Sequence, residues 1–312
     1  MKFNHKSVML NECIEMLNVK PDGIYVDCTA GGGGHSKEIL KKLTTGKLVD
    51  IDKDEEALNH CRALFSNFSS HEICYCNCDF KQFDNALDEL GIGQVDGIMA
   101  DLGLSSYQID TAQRGFSYLA EDAPLDMRMN QHQELSAEIV VNDYEQEKIA
   151  EILRVFGEES FAGLIAKNIV EQRKIQRITT CGQLVQIIDR SIPKKFQKVG
   201  SHNAKKTFQA IRIEVNGELD GLKEAFEKMI QRLKPGGRLV VLTFHSLEDR
   251  IAKQVFNFNA TDCICDKSIP ICVCNHKASI KLINKKPLIA TEQEQRENSR
   301  SRSAKLRVVE KL

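Results

Sequence analysis

The stretch Ile24-Tyr25-Val26-Asp27-Cys28-Thr29-Ala30-Gly31-Gly32-Gly33-Gly34-His35-Ser36 carries the strongest structural signal in this chain. A β-branched, apolar run ends in an acid and then in consecutive glycines. Behind them Ile39, Leu40 and Leu43 fall on one face of a helix. Strand, glycine turn and helix in that order open a nucleotide-binding α/β unit. Glycine suits such a turn because a side chain would hold the backbone away from the ligand. Further on, Lys47-Leu48-Val49-Asp50-Ile51-Asp52 is a second strand ending in acid. A carboxylate there accepts hydrogen bonds from ribose hydroxyls.

Several nucleotides are compatible with this opening. No Gly-Lys-Ser/Thr closes the loop, which argues against a P-loop. A Gly-x-Gly-x-x-Gly frame from Gly31 puts Ser36 at its third glycine, which weakens a dinucleotide reading. The Asp-x-Thr-x-Gly-x-Gly form from Asp27 resembles the first motif of S-adenosylmethionine (SAM)-dependent methyltransferases. A glycine turn without ligand is the plain alternative, at a cost in backbone entropy.

The 312 residues suffice for one large domain or two modest ones, and 42% hydrophobic content is ordinary for a globular chain. No apolar run approaches the roughly 20 residues that span a bilayer. The first residues lack the apolar core of a signal peptide. A net charge of -1 gives no global pull on nucleic acid, so any such contact must be local. Eleven cysteines without an export signal predict reduced thiols in a cytoplasmic protein.

Along the chain, strands are predicted at 24–28, 47–51, 71–78, 95–100 and 238–244, with two short ones at 281–283 and 304–309. Helices are predicted at 8–17 and 55–65. Cys74, Cys76 and Cys78 share one strand face. Collinear thiols make a poor metal cage, so they are read as packing. The third strand ends in Asp79-Phe80, where an acid can meet an adenine amine and a ring can stack. A polar strand end beside a core phenylalanine is the alternative. The fourth strand runs into Asp101-Leu102-Gly103-Leu104-Ser105-Ser106, at the edge where α/β enzymes place reacting groups.

From about 134 to 192 the periodicity is helical, as in Ile149, Ile152, Leu153 and Phe156, then Phe161, Leu164, Ile165 and Asn168. A block of helices inside alternating strands and helices reads as an inserted domain. Between Asp189 and Glu214 there is no acid, while Arg190, Lys194, Lys195, Lys198, Lys205, Lys206 and Arg212 are basic. Such a stretch can neutralise phosphates, with Phe196 and Phe208 able to stack on bases, or it is a solvated loop.

A helix carrying Leu219, Leu222, Phe226, Met229, Ile230 and Leu233 ends at Lys234-Pro235-Gly236-Gly237. After the next strand, Ser246 and Asp249 are spaced as a capping box. His245 beside it is a structural residue or a substrate contact. Residues 292–303 are expected to form a surface loop. Cys263-x-Cys265 and Cys272-x-Cys274 can hold a structural zinc, with His276 as a spare ligand, or they sit in a reduced loop. A closed four-sulfur site leaves no position open for catalysis.

Taken together, the chain resembles the RsmH (MraW) family of ribosomal RNA cytosine-N4 methyltransferases, nearly end to end. The resemblance is carried, in order, by His5-x-Ser7-Val8-Met9-Leu10, the loop from Gly31 to Ser36, Asp101-Leu102-Gly103-x-Ser105-Ser106, Arg114-Gly115-Phe116-Ser117 and Pro124-Leu125-Asp126-Met127-Arg128-Met129. It continues through Thr207-Phe208-Gln209-Ala210-x-Arg212-Ile213, Phe244-His245-Ser246-Leu247-Glu248-Asp249-Arg250 and Arg302-Ser303-Ala304-Lys305-Leu306-Arg307.

The resemblance implies an α/β fold, a class I SAM-dependent methyltransferase (Rossmann-like) sheet with an inserted all-helical domain. Residues 1–108 and 206–312 would bind SAM, and 109–205 would recognise RNA. It implies N4-methylation of a cytidine in the decoding region of 16S ribosomal RNA within the small ribosomal subunit, with no membrane and no DNA involved. Carried over by position, Gly33, Gly34, His35, Asp52, Phe80, Asp101 and Gln108 would line the SAM site. Asp101 is the candidate catalytic residue, and Lys205, Lys206, Arg212 and His245 are candidates for touching RNA. Tyr107 and Asn203 stand where the family usually has proline. Losing a proline loosens a turn but removes no charged or donor group, so activity is expected to survive.

The cytosine amine is a poor nucleophile and the SAM methyl a good electrophile, so alignment matters more than a strong base. Acceptors at Asp101, or the carbonyls of its turn, would hold the amine hydrogens. Three rivals remain. A DNA amino-methyltransferase usually carries Asn/Asp-Pro-Pro-aromatic, and Asp101-Leu102-Gly103-Leu104 lacks both prolines. An assembly factor would bind SAM and RNA without turnover. A nicotinamide oxidoreductase would bind reduced cofactor.

Overall fold

The computed structural model describes residues 7–68, 71–197, 202–266 and 271–312. His5 of the first signature, Lys198 of the basic stretch and the side chain of Tyr107 lie outside the described residues. The chain forms two compact units, Met1–Gly103 with Leu219–Leu312, and Leu104–Glu218.

In the first unit the elements run α1 (Leu10–Leu17), β1 (Ile24–Asp27), α2 (Gly34–Lys42), β2 (Lys47–Asp52), α3 (Glu55–Leu64), β3 (Glu72–Asn77), α4 (Phe83–Glu89) and β4 (Val95–Asp101). The second unit holds α5 (Ser106–Asp110), α6 (Ala137–Asp143), α7 (Gln146–Val155), α8 (Ala162–Arg173), α9 (Cys181–Ser191) and α10 (Lys205–Asn216). The first then resumes with α11 (Leu222–Arg232), β5 (Leu233–Thr243), α12 (Ser246–Asn259), β6 (Ile280–Leu282), α13 (Glu292–Glu297) and β7 (Lys305–Lys311).

Among the described residues the sheet has seven strands in the order β3-β2-β1-β4-β5-β7-β6. β1 to β5 pair in parallel, while β7 runs antiparallel to both β5 and β6. This is the expected class I methyltransferase α/β fold with its helical insertion. The chain order reverses at β1 and β4, so the carboxyl ends of the parallel strands open a crevice there.

Alternation along the strands explains why both faces are covered. Val26, Val49, Ile98, Leu239 and Val241 join a core completed by Phe83 and Leu87 of α4, Phe226 and Met229 of α11, and Phe256 of α12. Tyr25, Leu48, Met99, Val240 and Leu242 point the other way, against Leu17 of α1, Ile39 and Leu40 of α2, and Leu58 of α3. Cys74, Cys76 and Cys78 pack against the first of these cores, as their spacing predicts. No helix among the described residues is long and apolar enough to cross a membrane.

The second unit has its own core. Ile149, Ile152 and Leu153 of α7 meet Ile165 and Ile169 of α8, Leu184 and Ile188 of α9, and Phe208, Ile211 and Val215 of α10. These side chains bind α10 to the helical unit, whereas the sequence boundary had been expected at 205/206. Asn168, the polar member of the α8 pattern, donates to Ser191 Oγ at 2.7 Å.

Two family signatures build this unit's entry. Arg114 is buried and donates from Nη2 to the carbonyls of Arg128 and Met129 at 3.0 and 2.8 Å. Gly115 has φ 70°, and a Cβ there would run into the Pro124 carbonyl. Asn216 accepts from Met129 N–H at 2.8 Å and donates to the Met127 carbonyl at 2.8 Å. Met127 holds a left-handed φ of 60° within this clamp.

Several expectations are corrected. The helix cap after β5 is His245 with Glu248, one residue earlier than Ser246 with Asp249. His245 supplies a ring-nitrogen acceptor at the cap, and Glu248 Oε2 accepts from the N–H of Phe244 and of His245. Residues 292–303 are not a loop: α13 and a 3₁₀ turn at Ser299–Ser303 follow Thr291, whose hydroxyl accepts from Glu294 N–H at 3.2 Å. β5 begins at Leu233 and carries Pro235 past a register shift in its pairing with β4. A residue without an N–H is tolerated at such an irregularity. Leu164 lies 43% exposed on α8, with Ile165 and Ile169 taking the buried face.

Candidate active site

The glycine turn stands at the crevice end of β1. Its backbone still pairs on both sides, with Cys28 N–H donating to the Met99 carbonyl at 2.8 Å and Ala30 N–H to the Ile51 carbonyl at 3.0 Å. Gly31 and Gly33 then take left-handed φ values of 49° and 74°. A Cβ on Gly33 would come within 2.9 Å of the Phe65 ring, and one on Gly34 would run into the Ser7 hydroxyl. A Cβ on Gly32 would meet nothing within 4 Å. The turn therefore packs tightly behind and presents bare backbone in front, as close ligand approach requires.

Beneath the turn lies a carboxylate pair. Parallel register sets Asp27 opposite Asp50. Ser36 Oγ, in the first turn of α2, sits 2.7 Å from Asp27 Oδ2 and 2.7 Å from Asp50 Oδ1. All three residues are buried. A hydroxyl has one proton to give, so two ionised acids cannot both be satisfied by it. Burial and the Asp27 charge raise the Asp50 carboxyl well above its ordinary value. Asp27 Oδ1 accepts from Thr29 N–H at 3.1 Å and so fixes the start of the turn.

Asp52 ends β2. Its Oδ2 accepts from Gly31 N–H and its Oδ1 from Asp54 N–H, both at 2.9 Å. Burial pushes this carboxyl up to about 6 against the pull of those two donors. Asp79 caps a short 3₁₀ turn by accepting from Lys81 N–H at 3.0 Å. Phe80, at the start of that turn, packs half-buried against the main core with one part exposed.

Asp101 ends β4 at the same edge. Its N–H donates to Thr29 Oγ1 at 2.7 Å, tying the fourth strand to the turn of the first. Its Oδ2 lies 3.6 Å from His35 Nδ1. His35 is buried, and burial lowers its pKa and keeps the ring neutral. Nε2 lies 3.3 Å from the Val8 carbonyl, which only accepts, so the ring proton sits on Nε2 and a lone pair on Nδ1 faces Asp101. Burial, then the charges of Asp27 and Glu248, raise the Asp101 carboxyl well above its ordinary value. Asp101 Oδ1 is buried and has no hydrogen-bond partner among the described residues. One strand edge therefore offers a bare glycine turn, a carboxylate at Asp52, a ring at Phe80 and a partly exposed carboxylate at Asp101.

A family model described as the MraW methylase family matches residues 2–312. The chain belongs to the MraW methylase family. It is 53% identical over 313 residues to a protein of Clostridium botulinum (strain Kyoto / Type A2) named ribosomal RNA small subunit methyltransferase H, covering 100% of both chains. A protein of Clostridioides difficile (strain 630) with the same name is 49% identical, again over 100% of both chains.

The other residues expected to serve this MraW methylase fall in varied settings. Gln108 is buried in the helical unit, where its Oε1 accepts from Ser105 N–H at 3.1 Å. The His245 side chain is 5% exposed, and its Nε2 lies 3.1 Å from Glu248 Oε1, so the ring belongs to the helix cap. Lys205 is exposed at the start of α10, and Lys206 donates from Nζ to the Glu158 carbonyl at 2.6 Å. The Arg212 fork is held by Glu218, at 2.8 Å through Nε and 2.7 Å through Nη2. Phe208 is buried beside Tyr118 and so belongs to the core, while Phe196 stays 53% exposed with Lys195 Nζ 4.9 Å above its ring. Asn203, in place of a family proline, donates to Asp189 Oδ1 at 2.9 Å and so braces its turn by a side-chain bond.

Sequence reasoning did not find the pair of Asp27 and Asp50 under Ser36, nor Thr29 as the tie to Asp101. It also missed Asp249, which accepts from Arg307 Nε at 2.6 Å and Lys305 Nζ at 3.0 Å. That ion pair joins two of the family signatures. Their shared presence was visible in the sequence, but their contact needs the pairing of β5 with β7 and the packing of α12.

Proposed function

We propose that this MraW methylase transfers a methyl group from SAM to the N4 amine of a cytidine in the decoding region of 16S ribosomal RNA, within the small ribosomal subunit. The observation that carries the reading is the convergence, at one strand edge, of the bare Gly31–Gly34 turn with the carboxylates of Asp52 and Asp101. The names of its full-length relatives support ribosomal RNA as the substrate.

The residues present fit the cofactor. Open space in front of Gly32 admits its amino-acid end. Asp52 keeps lone pairs beyond those given to Gly31 and Asp54, as two ribose hydroxyls require. Phe80 offers a ring face and Asp79 an acceptor for adenine. When bound, SAM supplies a methyl on a sulfonium, an electrophile that needs no activation.

The chain's own residues then have one main task, to align the amine. The partly exposed Asp101 carboxylate accepts an amine hydrogen and turns the nitrogen lone pair towards the methyl carbon. A nearby cation favours the ionised form of Asp101, offsetting the burial that raises its pKa. Thr29 Oγ1, which accepts from the Asp101 N–H, holds Asp101 in place. The amine proton leaves after methyl transfer, when the nitrogen is cationic, with Asp101 as its first acceptor. The helical unit, with exposed Lys205, Phe196 and Lys195, is the proposed RNA-binding part. Binding there should weaken with salt.

Transfer of label from SAM to purified small subunits, with label in the RNA, tests the reading. Bound SAM without any transfer would overturn it in favour of an assembly factor. The cofactor half has its own test. Asp52 must be ionised to accept from both ribose hydroxyls, and its carboxyl sits at about 6. SAM affinity measured by calorimetry is expected to be full above that value and to fall as pH drops through it. The local charges are Lys53 and Asp54, and neither changes that direction. Asp52→Asn should bind about tenfold or more weakly at neutral pH, the loss of charged hydrogen bonds, and should flatten the acid limb. An unchanged acid limb in that variant would remove Asp52 from the site. The cysteine cluster is no part of this chemistry.

A further inference from the structure

The segment joining α12 to β6 contains Cys263, Cys265, Cys272 and Cys274. Their Sγ atoms gather at one point: Cys263 to Cys272 is 3.4 Å, Cys272 to Cys274 3.6 Å, Cys263 to Cys274 3.8 Å and Cys265 to Cys272 4.0 Å. All four lie within 4.8 Å of one another. Four sulfurs bound tetrahedrally at about 2.3 Å from one zinc ion would be about 3.8 Å apart. A disulfide would instead bring two of them to about 2.05 Å and leave the others as a separate pair. A cluster of several irons would spread them further, so the spacing suits a single metal ion.

The backbone fits the same picture. Ile264 N–H donates to Cys274 Sγ and Val273 N–H to Cys265 Sγ, each at 3.4 Å. Each Cys-x-Cys arm thus donates to a sulfur of the other, an arrangement that favours thiolates. Among the described residues of this segment hydrophobic burial is slight, since Ile264, Ile271 and Val273 are 49%, 75% and 69% exposed. Its base is closed by Ser279 N–H to the Asn259 carbonyl at 2.8 Å and Ala278 N–H to Asp262 Oδ1 at 3.3 Å. His276 is not a ligand here: its Nε2 lies 3.0 Å from the Phe258 carbonyl and its ring packs on Phe258.

We infer that Cys263, Cys265, Cys272 and Cys274 bind one zinc ion in a closed tetrathiolate site. The four thiols give their protons to solvent as the ion binds. With four protein ligands no position is left for water or substrate, so the ion is structural and staples the segment that feeds β6.

The test uses the full chain, purified under reducing conditions, stripped with a chelator and titrated with cobalt(II). One equivalent is expected to give sulfur-to-cobalt charge-transfer absorption with the strong visible bands of tetrahedral cobalt, and one equivalent of zinc to bleach both. Native mass spectrometry of the untreated protein should show one zinc per chain. The double variant C263S/C272S should retain less than a tenth of an equivalent. Three outcomes overturn the proposal: no charge-transfer band in the stripped wild-type protein, zinc retained undiminished by the double variant, or iron found in place of zinc. The wild-type titration decides the matter even if the double variant fails to fold.

Discussion

Asp101→Ala is expected to lower kcat for methyl transfer by about 10²–10³-fold, the usual cost of deleting one preorganised group at a reacting centre. The strand position explains the size. Asp101 is fixed from behind by its own N–H on Thr29 Oγ1 and by Leu102 N–H on the Leu242 carbonyl at 3.0 Å. Its side chain is 24% exposed at the crevice, so the carboxylate is held where an amine can approach it. SAM affinity should fall by no more than about tenfold, the net value of one ordinary hydrogen bond, because this carboxylate serves the amine rather than the cofactor. Asp101→Asn should lie between, because an amide keeps one acceptor oxygen and the shape. Because the free carboxyl is raised by burial and by Asp27 and Glu248, kcat/KM should rise with pH as it ionises, and that limb should vanish in Asp101→Asn. An alanine variant with the wild-type kcat would remove Asp101 from the chemistry.

Asp249→Ala is expected to cost the sheet unit about 3 kcal/mol, because it strands the buried Arg307 guanidinium. Lys305 is 40% exposed and adds little to this loss. Burial alone would raise the Asp249 carboxyl, but hydrogen bonds from Arg307 and then Lys305 outweigh it and hold the group below its ordinary value. The sign follows. A depressed carboxyl stabilises fully above its unfolded value of about 3.9, and that share is lost as pH falls through the folded value. Denaturant unfolding should therefore show a steeper acid limb in the wild type than in Asp249→Ala. Equal stability of the two proteins at neutral pH would show that β7 and α12 are held together by apolar packing alone.

Much of the fold was legible because its signals are local. Four glycines after an alternating strand announce a turn by composition alone. The helical block announced itself by its period. What stayed hidden depends on register or phase. Asp27 and Asp50 read as two separate strand ends until parallel pairing sets them side by side under Ser36. The cap after β5 was displaced by one residue because Ser246 with Asp249 satisfies the usual spacing, and histidine is not a usual cap. Phe208 was read as a surface ring because its neighbours are basic. Its spacing to Ile211 and Val215 is that of a buried helix face, and this was the stronger signal. Arg212 was read as free for phosphate because Glu218 lay just past the acid-free stretch.

The most direct test of the central claim is nucleoside mass analysis of small-subunit ribosomal RNA after reaction with labelled SAM. An aligned exocyclic amine predicts label in N4-methylcytidine, from assembled subunits and not from DNA, with the product formed about 10²–10³-fold more slowly by Asp101→Ala. Label in C5-methylcytidine or in a ribose methyl would contradict it, since those positions need a different nucleophile from the one Asp101 is placed to orient.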